Sequence, residues 1–212
     1  DVYKRQKKAT GYQNLDLLSR ELSQYMIRRR KSNVIKDLPP KSVHTIKCGM
    51  SEKQSKIYTQ MLNEYVAEVE NNVFVTAPAE VSRLMRLRQI ATDANCLSDS
   101  AFSTVIPSGK IQTLEAMVHE ICVEQDEKVV IFSNWARVVA SVHRVLEKYG
   151  CVTYTGDSTK AEREQAVKQF QTNPKVKVFI ATIGAAGTGL TLTAASKMIF
   201  TDRAWTPDDN AQ

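Results

Sequence analysis

The sequence has few residues of the kinds that build metal centres or disulfide frameworks. Its 212 residues include four cysteines and three histidines, and no two cysteines stand at the CxxC spacing of zinc and redox motifs. We therefore expect no metal site and no structural disulfides, and scattered cysteines are typical of a reducing compartment. The positions are Cys48, Cys96, Cys122, Cys151, His44, His119 and His143.

The sequence also lacks a long apolar run. A helix needs about 18 or more consecutive apolar residues to cross a membrane, and the N-terminus does not show the charged-then-apolar pattern of a signal peptide. We expect a soluble protein that stays inside the cell and has no membrane partner. The hydrophobic fraction of 42% is sufficient for a packed core, in one domain or in one domain with an appendage.

A phosphate-binding loop of the kind that hydrolyses ATP is missing as well. Such a loop ends in Lys followed by Ser or Thr, and it works with an acidic residue that holds Mg²⁺. The nearest stretch, Ser108-Gly109-Lys110, is followed by Ile111 and has no glycine at position 104. We expect that these residues alone do not hydrolyse ATP.

Positive charge is concentrated near the N-terminus. The net charge is +6, but residues 1–50 hold 12 Lys and Arg against 4 Asp and Glu, a surplus of eight, so the remainder carries −2. A basic cluster favours polyanions and gives salt-dependent binding. Two interpretations of this cluster stay open: contact with nucleic-acid phosphates, or solvated surface with salt bridges. Its residues are Arg28, Arg29, Arg30 and Lys31.

A glycine-rich stretch near the C-terminus is the most informative pattern present. An apolar run leads into Gly184–Gly189, and a second apolar run begins at Lys197. This pattern predicts a strand, a glycine-rich turn, a helix and another strand. The backbone N–H groups of Gly187, Thr188 and Gly189 could then face an anion, assisted by the following helix N-terminus. A turn that serves only tight packing is the alternative.

The C-terminal part of the chain alternates short apolar runs with helix-period segments. This alternation predicts an α/β fold, with a parallel sheet covered by helices on both faces. Thr159 and Glu162 have the spacing of a capping box at a helix start. The predicted strands are 128–133, 151–154, 176–181 and 197–201, and the predicted helices carry apolar stripes from Ile111 to Ile121 and from Trp135 to Tyr149.

The first half of the chain is predicted to be mainly helical, and a boundary near residue 108 separates regions 1–107 and 108–212. Residues 1–6 resemble a fragment edge and carry no prediction. The expected elements are a helix over Leu15–Met26, a strand over Val43–Cys48, a helix over Ser51–Glu70, a loop over 71–78, a helix over 79–91 and a loop over Leu97–Pro107.

Five blocks, taken in this order, resemble the second RecA-like lobe of the Swi/Snf-like ATPases, the DNA-translocating branch of superfamily-two helicases. The resemblance covers residues 11–212. Where the family usually has a His-Pro pair, this chain has Asp93-Ala94-Asn95. Ala186, Thr191 and Thr206 are closer to an annealing-helicase-like branch with bacterial or phage members. The blocks are Arg28–Lys31 leading to Leu38–Lys41, Val129–Trp135, Tyr154–Ser158 with Arg163 and Phe170, Phe179–Ala195, and Lys197–Asp202 with Trp205–Pro207. Leu84–Ile90, with Gln54 and Tyr58, also matches the family pattern.

The resemblance implies that the chain is one of the two lobes of an ATP-driven motor. ATP with Mg²⁺ would be held mainly by a first RecA-like lobe of the same polypeptide, and Gln212 would open a helix that carries two arginines towards the ATP γ-phosphate. The implied nucleotide contacts are Gly187, Gly189, Thr191 and Gln212. The implied contacts with the backbone of duplex DNA are Ser133, Asn134, Gly156, Asp157, Ser158, Thr182, Gly187 and Thr188, with Arg28, Arg29, Arg30 and Lys31 as further candidates.

The expected function is sequence-independent translocation on duplex DNA, in a bacterial or phage-host cytoplasm or in a nucleus. One rival is a nucleic-acid-binding or interaction module without ATPase activity. The other is an unrelated doubly wound nucleotide enzyme, which should have an acidic residue about 20 positions after its glycines, whereas Asp202 follows Gly189 by 13. Trp205 is either a core aromatic residue or a contact residue, and Arg88 and Arg163 are either contact residues or salt-bridge partners.

Overall fold

The computed structural model describes residues 11–27, 41–70, 73–77, 79–97, 106–187 and 190–205. The chain forms two compact units, Asp1–Ile46 and Lys47–Gln212. The predicted boundary at residue 108 stays a prediction. No helix in the described ranges is long and apolar enough to cross a membrane.

The described part of the first unit contains one short helix, α1 (Leu15–Ser23), none of whose residues is buried. The apolar periodicity predicted a helix as far as Met26, but the helix stops three residues earlier. The hydroxyl of Ser23 donates to the carbonyl of Arg20, and this local bond competes with continuation of the helix.

The second unit begins with two helices and a hairpin that share a small core. Helix α2 (Glu52–Glu64) starts at a capping box formed by Ser51 and Gln54, as the position of Ser51 predicted. Helix α3 (Glu80–Thr92) agrees with the predicted helix over 79–91. The shared core consists of Ile57, Met61, Ala67, Ala77, Leu87, Ile90, Ala94, Leu97 and Ile106.

The predicted helix over Ser51–Glu70 is too long, and the predicted loop over 71–78 is wrong. Tyr65 adopts a left-handed conformation with φ 58° directly after α2, and this conformation ends the helix. The chain then forms an antiparallel hairpin of β1 (Val66–Glu70) and β2 (Val73–Thr76). β-Branched and aromatic residues favour a pleated strand here over a helix.

The predicted strand over Val43–Cys48 is also wrong, since residues 41–50 form neither helix nor strand. A strand needs a neighbour for its backbone hydrogen bonds, and the strands described in this unit pair with each other. Residues at the end of this segment instead pack tightly against the start of a helix much later in the chain, α4 (Gly109–His119). An added Cβ at Gly109 would lie 1.8 Å from the carbonyl oxygen of Gly49.

A four-stranded parallel sheet forms the rest of the unit and confirms the predicted α/β fold. Its strands are β3 (Val129–Ser133), β4 (Cys151–Tyr154), β5 (Val178–Thr182) and β6 (Lys197–Phe200). The order across the sheet is β4-β5-β3-β6, and all three pairings are parallel. Each predicted strand lies within two residues of its observed position.

Helices cover both faces of this sheet, because alternate strand residues point in opposite directions. Val129 and Ile131 pack with α4 and α5 (Ala136–Leu146) on one face. Val130 packs on the other face with Phe170 of α6 (Lys160–Thr172). Helix α6 begins with the predicted capping box of Thr159 and Glu162.

Candidate functional site

The carboxyl ends of the four parallel strands lie along one edge of the sheet, which we call the carboxyl edge. The strands end there at Ser133, Tyr154, Thr182 and Phe200. Ligands of open α/β sheets bind at this edge. The described residues that sequence analysis selected near the strand ends are therefore brought to one side of the molecule.

Asp202 is the polar centre of the carboxyl edge. Its Oδ1 accepts hydrogen bonds from the backbone N–H of Asn134 at 2.9 Å and from its side-chain amide at 2.5 Å. Its Oδ2 accepts from the hydroxyl of Ser133 at 2.5 Å. The Ser133 hydroxyl in turn accepts from the N–H of Trp135 at 3.2 Å. Asp202 therefore fixes the loop that joins β3 to α5.

Ser133 is 1% exposed, so its hydroxyl is occupied inside the protein. Asn134 is half-buried and its amide is turned towards Asp202. From the sequence, Asp202 was considered as the acidic residue of a rival nucleotide enzyme, and no pattern placed it beside Ser133 and Asn134. The pairing of β3 with β6 brings it into contact with residues 68 and 69 positions away.

Lys110 approaches the same edge from the start of α4. Its ammonium group donates to the carbonyl of Thr201 at 2.9 Å. Burial lowers the pKa of this ammonium group below its usual value, and the nearby Asp202 carboxylate opposes that shift. The Lys110 side chain thus links the start of α4 to the residues after β6 by a hydrogen bond.

The turn after β4 contains three predicted DNA contacts, Gly156, Asp157 and Ser158. Gly156 and Asp157 are exposed, while Ser158 is half-buried. The Ser158 hydroxyl lies 3.2 Å from that of Thr155, and Arg163 donates to the carbonyl of Gly156 at 2.7 Å. Arg163 thereby braces the turn from α6.

The glycine-rich turn differs from its prediction in one respect. A short helix, α7 (Ile183–Ala186), precedes Gly187, whereas a helix was expected after the glycines. Residues 190–196 form no helix. Gly187 has φ −66° and is half-buried, so the backbone at this position does not need glycine for its angles. The proposed help from a following helix N-terminus is therefore wrong.

Two further predicted contacts flank this turn. Thr182, at the end of β5, is 8% exposed. Thr191 is exposed, and its carbonyl accepts a hydrogen bond from the side-chain amide of Gln171 at 2.7 Å. Gln171 also accepts from the N–H of Ala194 at 2.9 Å. Helix α6 thus supports the loop that leads from the glycine-rich turn to β6.

The remaining predicted site residues lie outside the described residues, and their assignments stay predictions. They are Thr188, Gly189, Gln212, Arg28, Arg29, Arg30 and Lys31.

Arg88 and Trp205 form a contact that sequence analysis did not predict. The guanidinium carbon of Arg88 lies 4.2 Å from the centroid of the Trp205 ring. Arg88 also donates to the carbonyl of Arg203. Trp205 is 64% exposed and is not a core residue. None of the contacts described for Arg88 or Arg163 is with a carboxylate.

A cavity of about 340 Å³ adjoins Asn134. Helix α3 contributes Arg86 and Gln89 to its wall, and the start of α5 contributes Arg137. Two guanidinium groups and the first turn of a helix give this cavity a positive character suited to an anion. Among the described residues, no group of three or more His, Cys, Asp or Glu side chains could hold a metal ion.

Two family profiles match consecutive parts of the chain. Residues 1–96 match the SNF2-related domain, and residues 109–212 match the Helicase conserved C-terminal domain. The chain is 28% identical to the human SWI/SNF-related matrix-associated actin-dependent regulator of chromatin subfamily A member 1, over 97% of this chain and 21% of that protein. The chain spans about a fifth of the length of the curated relatives it matches.

Solved structures share the fold. The Sulfolobus solfataricus SWI2/SNF2 ATPase core in complex with double-stranded DNA aligns with a TM-score of 0.63 and 26% identity, over 92% of this chain and 42% of that one. The C-terminal part of the Fun30 ATPase domain aligns with a TM-score of 0.63 and 19% identity, over 82% of this chain and 79% of that one. The second likeness concerns the fold alone.

Proposed function

The chain belongs to the Swi/Snf-like family of superfamily-two ATPases and is the second RecA-like lobe of such a protein, and on that basis we propose that it contacts the phosphate backbone of duplex DNA within an ATP-dependent translocase. The observation that carries this proposal is the carboxyl edge, where the Asp202 cluster, the turn at 156–158 and the glycine-rich turn end neighbouring parallel strands. The similar Sulfolobus core was solved with double-stranded DNA.

The groups at this edge suit phosphate rather than bases. Gly156 and Gly184 are exposed, and beyond the local backbone no atom of the described residues lies within 4 Å of an added Cβ at either, so a ligand can approach the backbone there. Backbone N–H groups and short polar side chains bind phosphate oxygens and carry no sequence information. The proposal is therefore sequence-independent binding whose affinity falls with salt.

The cavity beside Asn134 adds positive charge to the same surface. Arg137 donates to the carbonyl of Cys96 at 3.1 Å and Arg86 donates to Gln89 at 3.1 Å. The bond of Arg86 uses part of its guanidinium fork, which has five N–H donors. Other donors of Arg86 would pair with phosphate oxygens as the duplex crosses the edge, and the charge of Arg137 would add to the attraction.

The proposed function also requires ATP, whose binding we assign mainly to the first lobe. That lobe would hold ATP and Mg²⁺, while this lobe would contribute Gly187, Gly189, Thr191 and Gln212 to the nucleotide-facing side. An arginine that reaches the γ-phosphate is worth roughly 10³ to 10⁵ in rate. We therefore propose that turnover requires both lobes, and that closing and reopening of the two lobes moves the DNA.

The test measures ATP hydrolysis with and without duplex DNA. One sample is the 212-residue chain, and the other is a longer polypeptide that adds both a lobe bearing a phosphate-binding loop and the arginine-bearing helix proposed to follow Gln212. We expect DNA-stimulated hydrolysis from the longer polypeptide and none from the chain alone. Duplex binding by a longer polypeptide that never hydrolyses ATP would instead favour the interaction module.

A further inference from the structure

The segment that follows β6, residues 201–205, is held by side chains from three earlier parts of the chain. Lys110 donates to the carbonyl of Thr201 at 2.9 Å. The loop after β3 binds the carboxylate of Asp202. The third contact comes from Arg88 on α3, which touches the far end of the segment. We call residues 201–205 the anchored segment.

Arg88 makes two contacts at once that a guanidinium group suits better than an ammonium group. Its carbon lies 4.2 Å from the centroid of the Trp205 ring, and one of its nitrogens donates to the carbonyl of Arg203. A planar guanidinium can stack on an aromatic face and donate a hydrogen bond at the same time, whereas an ammonium group is a compact point charge. Since Trp205 is 64% exposed, burial alone does not fix its ring.

Helix α3, which carries Arg88, is held in place by core packing and by hydrogen bonds. Leu87 and Ile90, next to Arg88 in sequence, are 6% and 0% exposed in the core shared by α2, α3 and the hairpin. The buried amide of Gln54 donates to the carbonyl of Ile90 at 2.6 Å. The hydroxyl of Ser108 donates to the carbonyl of Thr92 at 2.8 Å. Movement of α3 would therefore be passed on to the anchored segment.

We propose that Arg88 is a positioning residue of the motor, which holds Trp205 and the end of the anchored segment in the arrangement that ATP turnover requires. This inference rests on the proposed function, because the chain continues from Trp205 towards Gln212, which is assigned to the nucleotide side. Misplacement of a catalytic group by about 1 Å can cost about 10²-fold in rate. Both described contacts of Arg88 are with the chain itself, so DNA and ATP affinity should be little affected by its loss.

The first experiment reads the contact in the 212-residue chain. The sequence has two tryptophans, and Trp135→Phe leaves Trp205 as the one fluorophore of this kind. In that background, Arg88→Ala should shift the emission of Trp205 and increase its quenching by acrylamide, while Arg144→Ala should change neither. Arg144 is exposed on α5 and matches the loss of charge. Equal spectra for both variants would contradict the contact.

The second experiment reads its consequence in the longer polypeptide with both lobes. Arg88→Ala should lower kcat for DNA-stimulated hydrolysis by about tenfold or more, with KM for ATP and Kd for duplex DNA within about twofold. Arg88→Lys should restore part of kcat. Trp205→Ala should show a similar loss, and the double variant should be no worse than either single one, because both remove one interaction.

The outcomes separate this inference from the proposed function. A wild-type polypeptide without DNA-stimulated turnover contradicts the proposed function, and the positioning role with it. A wild type with turnover that Arg88→Ala retains, at the level of Arg144→Ala, contradicts the positioning role alone. A selective loss of DNA affinity in Arg88→Ala also contradicts it, because Arg88 would then be a DNA contact. Thermal unfolding of each variant checks that the fold is intact.

Discussion

Asp202 binds Asn134 twice through one oxygen, since its Oδ1 accepts from both the backbone N–H and the side-chain amide of that residue. The two residues follow the ends of neighbouring parallel strands, β6 and β3. These two hydrogen bonds set both the path of the backbone and the direction of the Asn134 side chain. The loop that we assign to phosphate contact is thus shaped by a carboxylate that lies behind it.

Removal of this carboxylate should destabilise the chain. Asp202→Ala leaves the N–H of Asn134 and the hydroxyl of Ser133 without their acceptor, and each hydrogen bond to a charged group is worth about 1.5–3 kcal/mol. We expect a loss of about 3 kcal/mol or more in the free energy of unfolding, and a smaller loss for Asp202→Asn, which keeps one acceptor oxygen. Urea unfolding monitored by circular dichroism measures both variants.

Asp157→Asn is the matched control for this measurement. Asp157 is exposed in the turn after β4, and surface substitutions of this kind usually change stability by no more than about 0.5 kcal/mol. If Asp202→Ala were no less stable than this control, the hydrogen bonds around Asp202 would not contribute to the fold in the way described.

Gly109 should be intolerant of any side chain. An added Cβ would lie 1.8 Å from the carbonyl oxygen of Gly49, so the backbone of one segment must move. Overpacking of this kind costs about 1–3 kcal/mol, and we expect Gly109→Ala to lower the midpoint of thermal unfolding accordingly. Gly184→Ala is the control, since beyond the local backbone no atom of the part of the chain that the structure describes lies within 4 Å of its added Cβ. Equal midpoints for the two variants would contradict the close approach.

Glu162 should give the chain an acid-dependent contribution to stability. Hydrogen bonds from the backbone N–H and the hydroxyl of Thr159 lower the pKa of this carboxyl group below its usual value. A carboxyl group whose pKa is lower in the folded state than in the unfolded state stabilises the fold above the unfolded pKa. That contribution is lost as the pH falls through the folded pKa.

The difference in melting temperature between wild type and Glu162→Gln should therefore shrink as the pH falls from about 6 to about 3. Glu164→Gln, on the same helix with its side chain 71% exposed, is the control for the loss of charge. A difference that stays constant over this pH range would contradict a role of the ionised carboxylate in the capping box.

The strands of the sheet and the starts of the helices were predictable because their signals are local. Continuous apolar runs such as Val129–Ile131 are typical of strands buried on both faces, and the capping box of Thr159 and Glu162 depends on residues three positions apart. The end of α2 was not predictable in this way. Tyr65 continues the apolar face of the helix in the sequence, yet its backbone is left-handed, and the following residues gain more from pairing in the hairpin.

The centre of the carboxyl edge was not predictable, because its contacts are long-range. The sequence marks Ser133 and Asn134 through a motif, but their partner Asp202 is identified only when β3 and β6 become neighbours. The contact of Arg88 with Trp205 similarly joins residues more than 100 positions apart. Local pattern identifies the elements, while the order of strands decides which side chains meet.

The most direct test of the account is the salt dependence of duplex DNA binding by variants that place a negative charge on the carboxyl edge. Gly156 and Gly184 are exposed there, whereas Val123 is exposed next to the start of β3, at the opposite edge. Each Glu substitution at these positions changes the charge by the same amount. Fluorescence anisotropy with a labelled duplex gives Kd over a series of salt concentrations.

Wild type should bind with an affinity that falls as salt rises, since log K falls linearly with log salt when phosphates are neutralised. We predict that Gly156→Glu and Gly184→Glu weaken binding by about tenfold at low salt, because a new negative charge repels phosphate, while Val123→Glu stays within about twofold of wild type. Equal affinity for all three variants and wild type would contradict the assignment of this edge to the DNA backbone.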